Sequence, residues 1–375
     1  MSMKNSLLLL AFIAIASAQD QYANTATLAN PNPTGSFAPQ HSPAFPKINT
    51  KIASSLRVTA VPTGAVPTGA LPRAAPNLAG YPVAWATPPT DSAEVQAVIN
   101  TIDWSLVPKA AVHGGNSQTG PSMSGYPSSD PYCDWSYNLC NVPKVKYLPP
   151  DIYYCPSPDT WGLTYDDGPL NPQSSGDPYA EPNLYNFLAA HNQKATLFYI
   201  GSNVLGYPQA AQRAFQDGHI LCVHTWSHPP MTTLTNDKVV AELYWTLKVI
   251  KETTGVTPRC WRPPYGDVDD RVRSIAWQMG MRTILWDWDS NDWNIKGPDG
   301  GSLSSSTVDG YFSKWIADAK KTNHGHIVLE HELSDTTVNV AEKWLPQIQK
   351  AFKVVPATEC FNISQPYWES QYRYP

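Results

Sequence analysis

The sequence predicts an α/β fold, a distorted (β/α) barrel of about seven parallel strands, preceded by a disordered Pro/Thr-rich stalk. Two observations favour this fold. From residue 151 onward, short apolar runs alternate with helical patterns, which is typical of parallel strands joined by helices. The alternating region, residues 151–362, has about 200 residues, which suits a small barrel. A doubly wound open sheet is the alternative.

The predicted elements follow one another in a regular order. The strands are WGLTYD (161–166), ATLFYIG (195–201), HILCVH (219–224), RCWRP (259–263), RTILWDW (282–288), HIVLEHE (326–332) and KVVPA (353–357). The helices are EPNLYNFLAAHN (181–192), NDKVVAELYWTLKVIKETTG (236–255), DDRVRSIAWQMG (269–280) and VNVAEKWLPQIQKAF (338–352). The second helix is predicted to begin with an Asn cap and to end at Gly255.

Residues 1–18 have the pattern of a secretory signal peptide. Lys4 precedes the apolar run Leu7 to Ile15, and the run ends in Ala16-Ser17-Ala18, small residues of the kind that precede a cleavage site. The apolar run is too short for a permanent membrane-spanning helix. We therefore expect a secreted protein without a transmembrane segment, either extracellular or held in a cell wall.

Two further segments precede the predicted barrel, and a tail of residues 363–375 follows it. Residues 19–80 are predicted to be a low-complexity stalk, because Ala, Pro, Thr and Ser predominate and VPTGAVPTGALP repeats within them. Residues 81–150 form an aromatic and proline-rich extension that contains Trp85, Trp104 and Trp135. This extension would either wrap the barrel or form a small sugar-binding segment. The first is favoured, because only one local cysteine pair is available to hold an independent module together.

Charge and composition narrow the class of partner. The chain of 375 residues has a formal net charge of -5 and no basic block, so binding to nucleic acid or to an anionic membrane is not expected. A neutral, carbohydrate-like partner fits better, and the 14 tryptophans agree with it.

The six cysteines are even in number, and export permits disulfide bonds. We expect the pairs Cys133–Cys140, Cys155–Cys360 and Cys222–Cys260. The sequon Asn362-Ile363-Ser364 is a predicted glycosylation site in the same compartment.

Polar clusters stand where a parallel α/β fold places functional side chains, at the carboxyl ends of the strands. The clusters are Tyr165 to Pro169, His224 to His228, Arg262 to Tyr265, Asp289 to Trp293 and Leu329 to His331. Five clusters at five strand ends predict one shared site.

His224 and His228 are four residues apart, a spacing that would place both imidazoles on one side of a helical turn. Two histidine nitrogens and one carboxylate are a typical ligand set for a catalytic zinc ion. For the pair alone, a polar turn with two unrelated histidines is the alternative. Other histidines, such as His324 and His326, lack this context and are expected to be structural or exposed.

Asp166 and Asp167 are adjacent at the end of the first predicted strand, which Gly168-Pro169 would break. Successive side chains of a flat strand point to opposite faces, so both carboxylates can serve one site only if the backbone bends. With a bend at the Gly-Pro turn, one carboxylate could bind a metal ion while the other accepts a proton from the bound water. A surface turn is the alternative.

Taken in order, the clusters resemble the five motifs of the polysaccharide deacetylase family, also called carbohydrate esterase family 4 or the NodB homology domain. The matching segments are Thr164 to Pro169, His224-x-x-x-His228, Arg262-x-Pro264-Tyr265, Asp289-x-x-Asp292-Trp293 and Leu329-x-His331. The resemblance covers roughly Asp151 to Cys360 and implies a NodB-type barrel. The signal peptide, stalk and sequon make the chain most similar to fungal chitin deacetylases.

The resemblance implies a role for each matching residue. Asp167, His224 and His228 would bind the metal ion, Zn²⁺ or in its place Co²⁺. Asp166 would be the general base and His331 the general acid. The supporting residues would be Arg262, which orients Asp166; Asp292, which raises the pKa of His331; Tyr265, whose backbone N–H would stabilise the oxyanion; and Trp293 and Leu329, which would line the pocket for the acetyl methyl group.

The implied function is hydrolysis of the N-acetyl groups of chitin or chito-oligosaccharides to chitosan and acetate, with a metal-bound water as nucleophile. An acetyl xylan esterase or another glycan deacetylase of the same fold is the alternative. A non-catalytic chitin-binding cell-wall protein is the alternative from another class.

The chain is expected to be a monomer. Four tryptophans would either form a sugar-stacking surface or pack in the core: Trp161, Trp226, Trp286 and Trp288.

Overall fold

The structure, a computed structural model, describes residues 34–45, 79–170, 183–297 and 300–370. The predicted signal peptide lies outside these residues, as does most of the predicted stalk. The strands of the described part are β1 (Gly115–Asn116), β2 (Gly120–Pro121), β3 (Tyr154–Cys155), β4 (Thr160–Gly168), β5 (Thr196–Tyr199), β6 (Ile220–Val223), β7 (Cys260–Trp261), β8 (Arg282–Thr283), β9 (Trp288–Asp289), β10 (Gly325–Leu329) and β11 (Lys353–Pro356). The helices are α1 (Ala93–Ile99), α2 (Trp135–Asn138), α3 (Tyr185–Ala190), α4 (Gly201–Gly206), α5 (Pro208–Gln216), α6 (Asn236–Thr254), α7 (Asp270–Gln278), α8 (Ser305–Asp318), α9 (Asp335–Ala351) and α10 (Ala357–Cys360).

The strands curl into a distorted parallel barrel. β4, β5, β6, β7 and β8 are neighbours in that order, and each neighbouring pair is parallel. Along its first part β4 lies between β10 and β11, and β10 pairs in turn with β9, which follows β8 along the chain. The strands thus form a curled, mainly parallel half-barrel, which confirms the predicted distorted (β/α) barrel. β3 departs from the pattern, because it is antiparallel to β10.

Each of the seven predicted strands is present, and one of them is divided. The run RTILWDW forms both β8 and β9, because the backbone changes its hydrogen-bond partner between them. Leu285 N donates to Ile152 O at 2.7 Å, whereas Asp287 N donates to Ile327 O at 3.2 Å. This change of partner carries the chain from the β7 side of the sheet to β10.

The four predicted helices are present, with shifted ends. The predicted Asn cap of α6 is wrong, because Thr235 is the N-cap residue and Asn236 already lies in the helix. Gly255 ends the helix with a φ of 84°, in agreement with the prediction. The prediction lacks α4, α5 and α8, whose sequences contain glycine or begin with proline.

Tryptophans fill much of the space between the barrel and its helices. Trp161 is fully buried and meets Trp288 and Trp315 edge-on, each at 5.8 Å between ring centroids. Trp226 and Trp286 are buried as well. The four tryptophans considered for a sugar-stacking surface therefore belong to the core.

The extension of residues 81–150 lies against the barrel. Its helix α1 packs on α6 and joins the hydrophobic core. Tyr81 stacks on Trp226 at 5.8 Å, and Trp135 meets Trp286 edge-on at 5.6 Å. The extension therefore wraps the barrel with aromatic side chains, which is the arrangement that the sequence favours. The division of the chain into segments stays a prediction.

Residues 34–45 fall within the predicted stalk, yet they lie on the barrel. Phe37 meets Trp277 edge-on at 5.9 Å, and Phe45 stacks on Tyr244 at 5.6 Å. The stalk prediction is wrong for this segment, because the two phenylalanines offer apolar area whose burial compensates for ordering the chain.

Three disulfide bonds are present, and each pairing agrees with the prediction: Cys133–Cys140, Cys155–Cys360 and Cys222–Cys260. The second joins β3 to α10 across 205 residues of sequence, so it links the beginning and the end of the barrel region. Asn362 is exposed, and its glycosylation stays a prediction. Among the described residues, we find no helix that has both the length and the hydrophobicity to cross a bilayer.

Candidate functional site

The predicted loops meet at the carboxyl ends of the barrel strands, and four of the five contain residues with a left-handed backbone. Positive φ is uncommon for residues other than glycine and concentrates at functional sites. The residues are Asp167 (φ 75°), Thr225 (66°), His228 (58°), Tyr265 (60°) and Asn291 (54°). The backbone of the predicted site is therefore held away from ordinary strand and helix geometry.

Asp167, His224 and His228 come together at one edge of the barrel. Asp167 Oδ1 lies 3.4 Å from His224 Nε2 and 3.3 Å from His228 Nε2. One potential ligand atom of each residue lies within 4.8 Å of the others. The three residues predicted to bind a metal ion thus form one compact cluster.

The second nitrogen of each imidazole is fixed by a hydrogen bond. His224 Nδ1 donates to Arg262 O at 2.8 Å, and His228 Nδ1 lies 3.0 Å from the Tyr265 hydroxyl. These bonds leave both Nε2 atoms facing Asp167. Burial lowers the pKa of His228 to about 4 against the attraction of Asp167, so this imidazole is neutral at neutral pH and has a lone pair to offer.

The cluster fits a divalent metal ion. Asp167 Oδ1 is buried and accepts no hydrogen bond within the described part of the chain. A buried carboxylate oxygen without a partner costs free energy, and a bound cation would remove that cost. One carboxylate oxygen and two imidazole nitrogens are the ligands of many catalytic zinc sites.

Asp166 is held by Arg262 instead. The guanidinium is fully buried, and its NH1 donates to Asp166 Oδ1 at 2.7 Å and to Thr164 Oγ1 at 2.9 Å. Its NH2 and Nε donate to the carbonyls of Leu285 and Ile284. Because all three nitrogens of the guanidinium donate hydrogen bonds, Arg262 cannot turn, and the Asp166 carboxylate has one defined orientation.

A β-bulge separates the two adjacent carboxylates. β4 continues to Gly168, but its register with β5 shifts between Asp166 and Gly168. Asp167 lies in the shift with a left-handed backbone. The strand ends at Gly168 as predicted, but the bend that separates the two carboxylates lies inside the strand rather than at the Gly-Pro turn. Both carboxylates nevertheless reach one site.

The two histidines lie on an irregular loop, so the predicted helical turn is wrong. The loop is fixed by Glu242 of α6, whose buried carboxylate accepts hydrogen bonds from Trp226 N and Ser227 N, each at 2.8 Å. Sequence reasoning missed Glu242. An acidic residue inside the apolar part of the α6 sequence was its only signal.

His331 is paired with Asp292. His331 Nδ1 lies 2.7 Å from Asp292 Oδ1, and His331 N donates to Asp292 Oδ2 at 2.8 Å. Burial favours the neutral imidazole, but the charge and hydrogen bond of Asp292, together with the charges of Asp167 and Asp166, outweigh burial and raise the pKa of His331 to about 10. His331 therefore carries a proton at neutral pH.

The three remaining predicted residues border these groups. Tyr265 lies in the turn Pro264–Gly266 and reaches His228 through its hydroxyl, a contact that the sequence did not predict. Trp293 N donates to Asp292 Oδ1 at 2.9 Å. Leu329 is buried at the end of β10. Their roles in binding an acetyl group stay predictions.

Comparison with known proteins identifies relatives of this chain. The family model described as Polysaccharide deacetylase matches residues 153–284. A chitin deacetylase of Amylomyces rouxii is 42% identical over 302 residues, which cover 78% of this chain and 69% of that protein. Chitin deacetylase 2 of Cryptococcus neoformans var. grubii is 42% identical over 308 residues, which cover 80% of this chain and 65% of that protein. This chain belongs to the polysaccharide deacetylase family.

Membership of this family confirms the resemblance predicted from the five motifs, and with it a polysaccharide deacetylase as the class of enzyme. Among solved structures, the chitin deacetylase of Colletotrichum lindemuthianum is similar over 56% of this chain and 90% of that chain, at 25% identity and a TM-score of 0.48.

The deacetylase has a second group of metal-ligating side chains, formed by Asp287, His324 and His326. His326 Nδ1 lies 2.7 Å from Asp287 Oδ2, a hydrogen-bonding distance, and His326 stacks on Trp288 at 3.4 Å between ring centroids. The group lies at the start of β10, away from the ends of the strands that carry the site. The expectation of structural or exposed histidines holds here, since both are buried and hydrogen-bonded.

We expect the substitution Asp292→Asn to lower the pKa of His331, because burial remains while the strongest opposing charge is lost. The proton of His331 can be followed by NMR of the imidazole nitrogens as a function of pH. Asp318→Asn, on the surface at the end of α8, is the control and should leave the pKa of His331 unchanged. A pKa of His331 unchanged by Asp292→Asn would contradict the pairing.

Proposed function

We propose that this deacetylase is a secreted, metal-dependent chitin deacetylase, which hydrolyses the N-acetyl groups of chitin or chito-oligosaccharides to chitosan and acetate. The observation that carries the proposal is the different environment of two adjacent carboxylates. Asp167 faces the imidazoles of two histidines, whereas Asp166 is bound by Arg262. The two chitin deacetylases at 42% identity support chitin as the substrate.

Asp167, His224 and His228 would hold the metal ion, Zn²⁺ or Co²⁺. Such an ion, when bound, lowers the pKa of water and polarises the acetyl carbonyl. The protein holds the metal-binding side chains in the orientation that binding requires. The Arg262 carbonyl and the Tyr265 hydroxyl fix both imidazole rings through their Nδ1 atoms, so that the Nε2 atoms need no reorientation.

Asp166 would act as the general base that takes a proton from the attacking water. Its Oδ1 is bound to Arg262, while its Oδ2 lies 3.7 Å from His224 Nε2 and so faces the ligand cluster. The base therefore needs no movement to meet a water molecule held between the ligands and the substrate. A general base in such a position contributes about a hundredfold to ten-thousandfold in rate.

His331 would act as the general acid that protonates the leaving amine. An acetamide resists hydrolysis because its nitrogen leaves poorly unless it is protonated. Asp292 binds Nδ1 and keeps the imidazole charged, which leaves Nε2 to deliver the proton. The rate is then expected to fall at alkaline pH, as His331 loses its proton.

The remaining residues would position the acetyl group. The backbone N–H of Tyr265 would donate to the oxyanion, a contribution of roughly 3 kcal/mol to transition-state stabilisation. Trp293 and Leu329 would line the pocket for the methyl group. Trp293 is joined to the His331 pair through Asp292, which supports a location beside the acid.

The proposed setting is the cell exterior or the cell wall. Disulfide bonds persist in oxidising compartments, and the three in this structure agree with export through the predicted signal peptide, residues 1–18. Glycosylation at Asn362 and a monomeric state belong to the same proposal. So does the division into a stalk, an extension and a catalytic domain at residues 151–362.

Acetate release from purified, zinc-loaded protein tests the substrate. We expect release from N-acetylglucosamine oligomers and little from acetylated xylan, because the relatives at 42% identity are chitin deacetylases. Protein treated with a chelator is the control and should release none. Acetate from xylan alone would indicate an acetyl xylan esterase, and chitin binding without acetate from either substrate would indicate a non-catalytic wall protein.

Matched substitutions test the division of labour between the two carboxylates. We expect Asp166→Asn to lower kcat at least about a hundredfold while the bound metal content stays near that of the wild type. Asp167→Asn and His228→Ala should lose metal as well as activity, because they remove ligands. Metal content is measured by atomic emission, and Asp318→Asn on the surface is the control. Wild-type turnover by Asp166→Asn would contradict the assignment.

A further inference from the structure

One exposed tryptophan lies on the N-terminal extension. All 14 tryptophans fall within the described residues, and 13 of them are buried or half-buried. Trp85 differs, because 55% of it is exposed, and its neighbour Val83 is 76% exposed. A large exposed apolar pair contributes little to the core, so it requires another explanation.

The turn that carries Trp85 is attached to the loop of the two histidines. Trp85 N donates to Ser202 Oγ at 2.8 Å, and Ser202 Oγ donates to Trp226 O at 2.6 Å. In the reverse direction, Trp226 Nε1 donates to Val83 O at 3.2 Å. Trp226 lies between His224 and His228 in sequence, so these bonds fix the exposed pair beside the proposed metal ligands.

A second contact places the turn at the same edge of the barrel. Ser202 lies in the first turn of α4, directly after β5. The next residue, Asn203, donates from Nδ2 to Asp167 O at 2.7 Å. Two adjacent residues of α4 thus hold Trp85 on one side and the bulge of β4 on the other.

Trp85 has a positive φ, as several residues of the site have. Its φ is 65°, a left-handed value that bulky residues rarely adopt. Such a conformation costs free energy and persists where the surroundings determine it. Here the hydrogen bond to Ser202 maintains it, and the result is an indole turned toward solvent rather than into the core.

We propose that Trp85, together with Val83, is a sugar-binding platform that stacks on a pyranose ring of the polysaccharide substrate beyond the unit undergoing deacetylation. The inference rests on the proposed function. A flat indole offers apolar area to the C–H face of a sugar ring, while the hydroxyl groups at the ring edge stay in water. Uncharged chitin requires no charged partner, and the pair supplies none.

The substitution Trp85→Ala tests the platform. For each chito-oligosaccharide from the dimer to the hexamer, KM of the variant is compared with KM of the wild type. We expect this ratio to grow with chain length and to reach roughly fivefold to tenfold for the hexamer. The value of kcat should change little, because Trp85 does not contact the acetyl group. Trp85→Phe should recover most of the affinity. An equal KM for Trp85→Ala and wild type on the hexamer would overturn the proposal. An increase in KM by the same factor for every chain length would overturn it as well.

The control is Tyr137→Ala, an exposed aromatic residue elsewhere on the extension, which should leave KM unchanged. Co-sedimentation with insoluble chitin separates this inference from the proposed function. If wild-type protein releases no acetate but binds chitin, and Trp85→Ala does not bind, the proposed activity fails and the platform stands. If wild-type protein does not bind chitin, the platform fails.

Discussion

The site depends on one buried guanidinium. Arg262 follows β7, bonds to Thr164 and Asp166 of β4, and donates to the carbonyls of the segment after β8. The interaction that orients Asp166 therefore also crosses the interior of the barrel. Loss of Arg262 would leave Asp166 buried without a compensating charge, at a cost of about 3–5 kcal/mol in stability. Stability and the position of the base are thus coupled in a single side chain.

Much of the fold and of the site follows from the sequence, because its signals are local and repeated. Each predicted strand is a short apolar run, and its end is marked by polar residues. Parallel strands bring such ends to one edge, so clusters separated by up to 165 residues, from Asp166 to His331, could be placed together from the sequence alone. Cys155 and Cys360 could be paired because they bracket the barrel region.

What the sequence did not predict depends on tertiary contacts. The bulge at Asp167 arises from a shift against β5, and no local pattern encodes that shift. The histidine loop is held by Glu242 of α6, and the sequence of that helix does not show that this carboxylate turns back to the loop. Trp85 could be read as one more aromatic residue of the extension until its bond to Ser202 placed it beside the site.

In the proposed mechanism Arg262 keeps Asp166 apart from the metal ligands, while Asp167 joins them. Anomalous diffraction from crystals grown with zinc tests this division of the two carboxylates. We predict one peak within bonding distance of Asp167, His224 and His228, with the bond between Arg262 and Asp166 intact. A zinc ion bound by Asp166, or zinc bound only at the Asp287, His324 and His326 group, would contradict these roles.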